Sequence, residues 1–371
     1  MNYREFGKTG VKISRLGFGA MRLPMMDAGG KEVVDEDQAL AIIRRAFELG
    51  VNYIDSAWMY CHGMSESIVG KALKGWREKV YVSTKYPFEE PSLRATLEKQ
   101  LRRLDTLYVD FYHLHGIGEW FFTHQFHDTA LKEIIQAKEE GLIKHISFSF
   151  HDKPEVMDRI MEVGIFESVL CQYNLLDRRN ETVLAHAKSR GLGTIVMGPV
   201  GGGKIVELPQ KAAEAAGVKV GSNAELALRF VFANPNIDCA LSGMSAMAQV
   251  EENAAIASNL APLSPEEVAG INRVMDENKR LADLYCTGCN YCLPYCPQEV
   301  NIPYIFSAMN LYRIYDLKEN ARSQYHFLEK APWVKGKKAN ACIECGACEK
   351  HCPQKIEIRK QLKECRMVFE S

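Results

Sequence analysis

The chain has 371 residues, with 46 lysines and arginines against 47 aspartates and glutamates and a formal net charge of -1. That balance gives no electrostatic basis for nucleic-acid or anionic-membrane partners, and a 47% hydrophobic content is incompatible with a disordered chain. No apolar run reaches the roughly 18 residues of a membrane span, and the polar opening MNYREFGKTG is not a secretion signal. A cytoplasmic protein is expected.

From Val11 to about Leu260, short β-branched or aromatic runs alternate with stretches at helical period. Strands are predicted at Leu16–Gly19, Val51–Asp55, Val80–Thr84, Val109–Leu114, Lys144–Phe148, Ser168–Gln172, Thr194–Met197 and Asp238–Leu241. Helices are predicted at Glu36–Leu49, Ser65–Leu73, Pro91–Leu104, Thr129–Glu139, Pro154–Val163, Glu181–Ser189, Ala224–Ala233 and Ala246–Ser258, with Ser65, Asp128 and Ser222 as caps. Eight such units in about 250 residues make a (β/α)8 TIM barrel. A doubly wound open sheet shares the periodicity, but its G-x-G-x-x-G turn is missing after the first strand. Gly201–Gly203, beside Lys204, is a candidate phosphate loop after the seventh strand. Ser264–Leu281 predicts a further helix, with Pro265 in its first position.

Near residue 280 the composition shifts. Only Cys61, Cys171 and Cys239 precede it, and nine of the 12 cysteines follow. Two units are predicted, a barrel over 1–280 and a small, mainly helical ferredoxin-like domain over 281–371. Cys286, Cys289, Cys292 and Cys296 form C-x2-C-x2-C-x3-C-P, and Cys342, Cys345, Cys348 and Cys352 repeat it. In two-cluster ferredoxins the fourth cysteine of each run ligates the other cluster. One [4Fe–4S] cluster is therefore assigned to Cys286, Cys289, Cys292 and Cys352, and the second to Cys342, Cys345, Cys348 and Cys296. Paired four-thiolate zinc sites are the alternative, although zinc ribbons require neither the third cysteine nor the C-P ending. Cys365 lies outside both runs and reads as a packed thiol. Ile305, Met309, Leu311 and Ile314 give the intervening run Ile302–Leu328 a helical period.

In the barrel, Asp55, Lys85 and His115 fall at the ends of the second, third and fourth strands, and Tyr60 lies in the loop beyond Asp55. Strand ends converge on one face of a barrel, where active sites sit. Each residue alone has an ordinary structural reading. Together they form a proton-donating set: an ammonium lowers the phenol from its usual pKa of ~10, a carboxylate holds the ammonium charged, and a histidine bonds the substrate oxygen.

At this point residues 1–280 resemble an aldo-keto reductase. The opening Tyr3-Arg4-Glu5-Phe6-Gly7-Lys8-Thr9-Gly10 and Leu16-Gly17-Phe18-Gly19 are similar to that family's capping hairpin and first strand. Asp55-Ser-Ala-Trp-Met-Tyr60 with Ser65-Glu66, Lys85, and Asp110-Phe-Tyr-His-Leu-His115 match its catalytic tetrad. The resemblance implies Gly19, Met21, Ser149, Gln172, Met197, Gly243, Gln249, Glu252 and Asn253 as cofactor contacts. His113 shares a strand face with His115 and reads as buried and structural.

Three departures bear on the cofactor. A Ser–Asn pair expected after the fifth strand reads Ser149-Phe150, Met197 stands where an aromatic residue stacks on nicotinamide, and basic residues that grip a 2′-phosphate are missing near Gly243 and Gln249. They bring NAD(H) and FMN into consideration beside NADP(H). Hydride carries two electrons and each cluster takes one, which a flavin reconciles.

Three functions follow: a nicotinamide-dependent carbonyl reductase, a flavin-linked electron-transfer enzyme, and a non-catalytic redox-sensing barrel. The first two take a small-molecule substrate, and an electron-transfer protein is a candidate partner. The loop His115-Gly-Ile-Gly-Glu-Trp120 and Phe121-Phe122 are candidates to line the pocket.

Overall fold

The structure is a computed structural model. It describes residues 1–175, 177–200, 213, 216–259, 261–283 (277–283 by backbone alone), 286, 292–313, 317–331, 334–352 and 356–371. Gly201–Gly203, Lys204, Cys289 and Ile314 lie outside the described residues. Two compact units emerge, Met1–Gly202 with Ala224–Pro265, and Gly203–Asn223 with Glu266–Ser371.

The first unit begins with the hairpin β1 (Tyr3–Glu5) and β2 (Lys12–Ser14), followed by β3 (Leu16–Gly19) and a second hairpin, β4 (Met25–Asp27) with β5 (Glu32–Val34). Then come α1 (Glu36–Glu48), β6 (Tyr53–Asp55), α2 (Ser65–Ala72), β7 (Tyr81–Tyr86), α3 (Leu93–Arg103), β8 (Val109–Ile117), α4 (His127–Glu139) and β9 (Ile143–Phe150). The unit continues through α5 (Pro154–Met161), β10 (Ser168–Gln172), α6 (Glu181–Ser189), β11 (Gly193–Met197), α7 (Asn223–Ala233), β12 (Cys239–Ser242) and α8 (Met247–Asn259). Strands β3 and β6 through β12 pair in parallel and close, with β12 meeting β3. This is the predicted barrel, not an open sheet.

Helix ends follow side-chain chemistry, though not always at the predicted caps. Asp35 accepts from Gln38 N at 3.1 Å and Ser92 from Ala95 N at 3.1 Å, each satisfying an orphan N–H. Ser65 is instead the first residue of α2. Its hydroxyl contacts Ser56 Oγ and donates to the Ala20 carbonyl, both at 2.8 Å, tying the helix to the barrel wall. Asp128 is likewise already in the first turn of α4, where its charge favours the helix N-terminus. Ser222 directly precedes α7.

Phe6, from the first hairpin, plugs the barrel bottom against Tyr53 and Phe111, with ring centroids at 6.4 and 5.1 Å. Any side chain at Gly193 would begin 2.4 Å from that ring, so only glycine fits there.

The second unit carries α9 (Pro265–Asp283), α10 (Ile302–Arg313), α11 (Lys318–Phe327), the short α12 (Ala347–Lys350) and α13 (Ile358–Phe369). Its core gathers Ile305, Phe306, Met309, Tyr325, Leu362, Cys365 and Phe369. Cys365 is fully buried, as expected of a packed thiol. Among the described residues, no helix is long and apolar enough to cross a membrane.

Candidate active site and cluster cage

Strand register builds the site. Asp55 pairs with Ser83, Lys85 with His113, and His113 with Ser147. Paired residues in a parallel sheet share a face. Asp55 and Lys85 are each 1% exposed. The Lys85 ammonium donates to Asp55 Oδ2 at 2.5 Å and to the Ser56 carbonyl at 2.7 Å, while Ser83 Oγ donates to Asp55 Oδ1 at 2.7 Å. A buried ion pair requires such saturation, because each charge has lost its water.

Tyr60 follows in the loop after β6. Its ring centroid lies 4.8 Å from the Lys85 ammonium and 6.4 Å, edge-on, from the His115 ring. Cys61 and His62 take the left-handed region, at φ 51° and 56°, a strain that surrounding contacts must hold. Cys61 Sγ donates to the Met21 carbonyl at 3.5 Å, and His62 Nε2 lies 2.9 Å from Glu32 on the second hairpin. That hairpin, which periodicity did not predict, buttresses the loop that presents Tyr60.

Asp55, Tyr60, Lys85 and His115 are thus brought together in space, with one electrostatic departure from expectation. Burial holds the Tyr60 phenol above its ordinary value, and the opposing pull of Lys85 does not overcome it. Burial acts the other way on Lys85 and pulls it down, but Asp55 and Tyr60 outweigh it and the ammonium stays charged. Burial and the Lys85 charge push His115 down to about 3, so its imidazole is neutral. The site combines a protonated phenol, a fixed cation and a neutral hydrogen-bonding ring.

The residues expected at the cofactor lie around the same barrel end. Ser149 Oγ accepts from Gly116 N at 2.7 Å. The Gln172 amide packs beneath Gly198, where an added Cβ would meet it at 2.5 Å. Asn253 Nδ2 donates to Ser242 Oγ at 3.3 Å, and Gln249 Oε1 accepts from Ser245 N at 2.8 Å. Gly19 and Gly243 leave a backbone cradle that a Cβ would fill: at Gly243 it would lie 3.7 Å from the Gly19 carbonyl and from Arg22 Cβ. Such a bare cradle fits the backbone approach of a nucleotide. Met21 is exposed, and Met197 is half-buried against the barrel core.

Two residues escaped the sequence reading. The Arg22 side chain passes beside Gly243 from a distant segment, its Cβ 3.7 Å and its Cδ 3.9 Å from where a Gly243 side chain would begin. His151, exposed at the mouth, has Cδ2 3.8 Å from where a Gly116 side chain would begin. The parity 147, 149, 151 was the available signal for His151. For Arg22 there was none.

In the second unit, Cys296, Cys342, Cys345 and Cys348 line one small pocket, together with Pro297, Ile343 and Arg359. These four cysteines were the crossed ligand set expected for one cluster. Four cysteine thiols lining one pocket are a soft donor set suited to an iron–sulfur cluster, and to zinc as well. Val300 N donates to Cys296 Sγ at 3.3 Å. Cys286, Cys292 and Cys352 of the other set pack against the same helical core. Tyr295 and His351, the residues before the fourth cysteine of each run, stack at 3.4 Å with planes 5° apart. The equivalent positions of the two runs thus meet face to face.

Comparison with known proteins decides the family. Residues 15–276 match the model of the aldo/keto reductase family. The chain belongs to this family. Residues 285–357 match a 4Fe-4S dicluster domain, so this is an aldo-keto reductase family oxidoreductase carrying a 4Fe-4S domain. It is 30% identical to L-galactose dehydrogenase from Arabidopsis thaliana, over 75% of this chain and 95% of that protein. The structure is similar to the holo form of an aldo-keto reductase from Bacillus halodurans, at 29% identity and TM-score 0.64, over 74% of this chain and 96% of that one. An aldo/keto reductase from Klebsiella pneumoniae, solved in complex with NADP and acetate, shares the fold at 24% identity and TM-score 0.60, over 73% and 94%.

Proposed function

We propose that this aldo-keto reductase reduces a carbonyl compound with a nicotinamide cofactor, Tyr60 serving as the general acid. The observation that carries the reading is the saturated Asp55–Lys85 ion pair beneath the Tyr60 ring. Bound nicotinamide supplies the hydride. Tyr60 donates its proton to the carbonyl oxygen as negative charge develops there. Lys85 stabilises the phenolate left behind, and Asp55 keeps Lys85 charged and aimed. Neutral His115 hydrogen-bonds the same oxygen without competing for its proton.

Gly19, Gly243, Gln172 and Asn253 are the residues proposed to hold the nucleotide, with Ser149, Met197, Met21 and Gln249 around them. Arg22 supports a phosphate-bearing ligand. We assign Cys342, Cys345, Cys348 and Cys296 to one [4Fe–4S] cluster and Cys286, Cys289, Cys292 and Cys352 to the other. Each cluster supplies one-electron capacity, and an electron-transfer protein is the proposed partner. The buried Phe150, in place of an amide, and Met197, in place of a stacking ring, favour FMN as the second reading. The proposed domain division remains 1–280 and 281–371, and the proposed location is cytoplasmic.

The test is anaerobic turnover of 4-nitrobenzaldehyde with NADH or NADPH. Tyr60→Phe should lower kcat by about a hundredfold or more with KM little changed. Undiminished turnover in that variant would remove Tyr60 from the proton-donating role.

A further inference from the structure

The two cysteine runs belong to a longer repeat. Cys296-Pro-Gln-Glu-Val-Asn-Ile302-Pro303 aligns with Cys352-Pro-Gln-Lys-Ile-Glu-Ile358-Arg359 at the same spacing. Ile302 and Ile358 open α10 and α13 and are buried, as are Val300 and Ile356. The charges of the two halves differ. Between Cys286 and Cys296 there is no Asp, Glu, Lys or Arg, whereas Glu344, Glu349 and Lys350 lie between Cys342 and Cys352. The last position of the repeat is the buried Pro303 in one half and Arg359 in the other. Arg359 lines the pocket of Cys296, Cys342, Cys345 and Cys348. Its Cζ lies 3.5 Å from where a side chain would begin at Gly346, the residue after Cys345. Glu349 fixes it there, its carboxylate accepting from the Arg359 backbone N–H at 2.9 Å, from Nε at 3.0 Å and from Nη2 at 2.9 Å.

We propose that Arg359 sets the two clusters apart, its fixed positive charge raising the reduction potential of the one held by Cys296, Cys342, Cys345 and Cys348. A [4Fe–4S] cluster gains one negative charge with each electron, so a cation at its pocket favours the reduced form. The other run has a proline at the matching position and no charge between its cysteines, so it lacks that bias. An electron shared between the clusters therefore settles beside Arg359. The side chain is about half exposed, and solvent screening keeps the effect modest. Glu349 opposes the same charge and so gives the bias a second handle. The inference rests on both cages holding [4Fe–4S] clusters, as proposed above.

The test is a potentiometric titration of the full-length, cluster-loaded protein, followed by electron paramagnetic resonance and visible absorbance, with iron counted in every sample. Wild type should hold about eight irons and reduce in two separate one-electron steps. Arg359→Gln should make the higher-potential step about fivefold less favourable, about 40 mV at about 59 mV per tenfold change, and leave the lower step in place. Arg359→Lys, which keeps the charge, should hold the higher step within about twofold. Glu349→Gln keeps an acceptor for the Arg359 N–H but removes the opposing charge, and should make the same step about threefold more favourable. A higher step unmoved in Arg359→Gln, both steps moving together, or only the lower one moving overturns the proposal. So does a lysine variant as low as the glutamine variant, or a wild type whose clusters reduce at one potential. If Arg359→Gln loses iron, Glu349→Gln decides, and a higher step that it leaves unmoved or lowers overturns the proposal. About eight irons without these shifts sinks this inference alone, whereas a wild type without iron removes the cluster assignment and this inference with it.

Discussion

At the scale of single residues, the site is defined by which groups are denied their usual charge. His115 is pushed down to about 3 and is neutral when folded, whereas an unfolded chain protonates it near the ordinary 6.5. Between those values the unfolded state binds the extra proton, so acidification favours unfolding. The stabilisation is complete above about pH 6.5 and is lost as pH falls toward 3. Lowering pH from 6.5 to 5 should therefore cost about 2 kcal/mol through this residue. Urea unfolding of wild type and His115→Gln across that interval should show the wild type losing the larger share. Parallel curves would mean that His115 is not held neutral. Asp55, Tyr60, Lys85 and His115 were all legible in the sequence because strand ends of a barrel converge whatever the intervening sequence. The sign of the Tyr60 shift was not legible, since it depends on how deeply the loop is buried. Arg22 comes beside Gly243 through tertiary approach, which no local pattern encodes.

At the scale of elements, a buried carboxylate locks the helices onto the strand that carries Lys85. Glu66 on α2 is fully buried. It accepts from Thr84 Oγ1 at 2.6 Å and Gln100 Nε2 at 2.8 Å, and pairs with Arg103 at 3.3 Å. Gln100 Nε2 also reaches the Lys85 carbonyl at 2.9 Å, and its Oε1 accepts from the Tyr112 hydroxyl at 2.6 Å. Glu66→Ala takes an acceptor from Thr84, Gln100 and the partly exposed Arg103 and should cost about 1–3 kcal/mol through the donors it strands. Tyr112→Phe removes one hydroxyl and should cost about 1–3 kcal/mol, through the acceptor it strands. Thermal or urea unfolding measures both. A loss under about 1 kcal/mol for Glu66→Ala would show that water or a rearranged Arg103 replaces the carboxylate. Periodicity found these helices and strands to within a few residues, because apolar spacing alone sets them. It missed the β4–β5 hairpin, whose three-residue strands are mostly exposed and carry no alternation to read.

At the scale of the whole molecule, the chain joins two electron currencies. The barrel's proposed chemistry moves a hydride, an electron pair, whereas each cluster of the 4Fe-4S domain takes one electron. Protein purified without air should contain about eight irons per chain if both cages are filled. Cys348→Ser, which removes a buried thiol from the lined cavity, should lower that by about four, while barrel unfolding in urea stays as in wild type. The same preparation distinguishes the cofactor readings. With no flavin bound, NADH or NADPH should turn over 4-nitrobenzaldehyde yet leave the clusters' visible absorbance unbleached, because nothing splits the electron pair. Rapid bleaching by nicotinamide alone, with no flavin released on denaturation, would contradict that electron accounting. Bleaching accompanied by stoichiometric FMN would favour the flavin reading, in which the tetrad protonates a substrate while electrons leave singly through the cysteine cages.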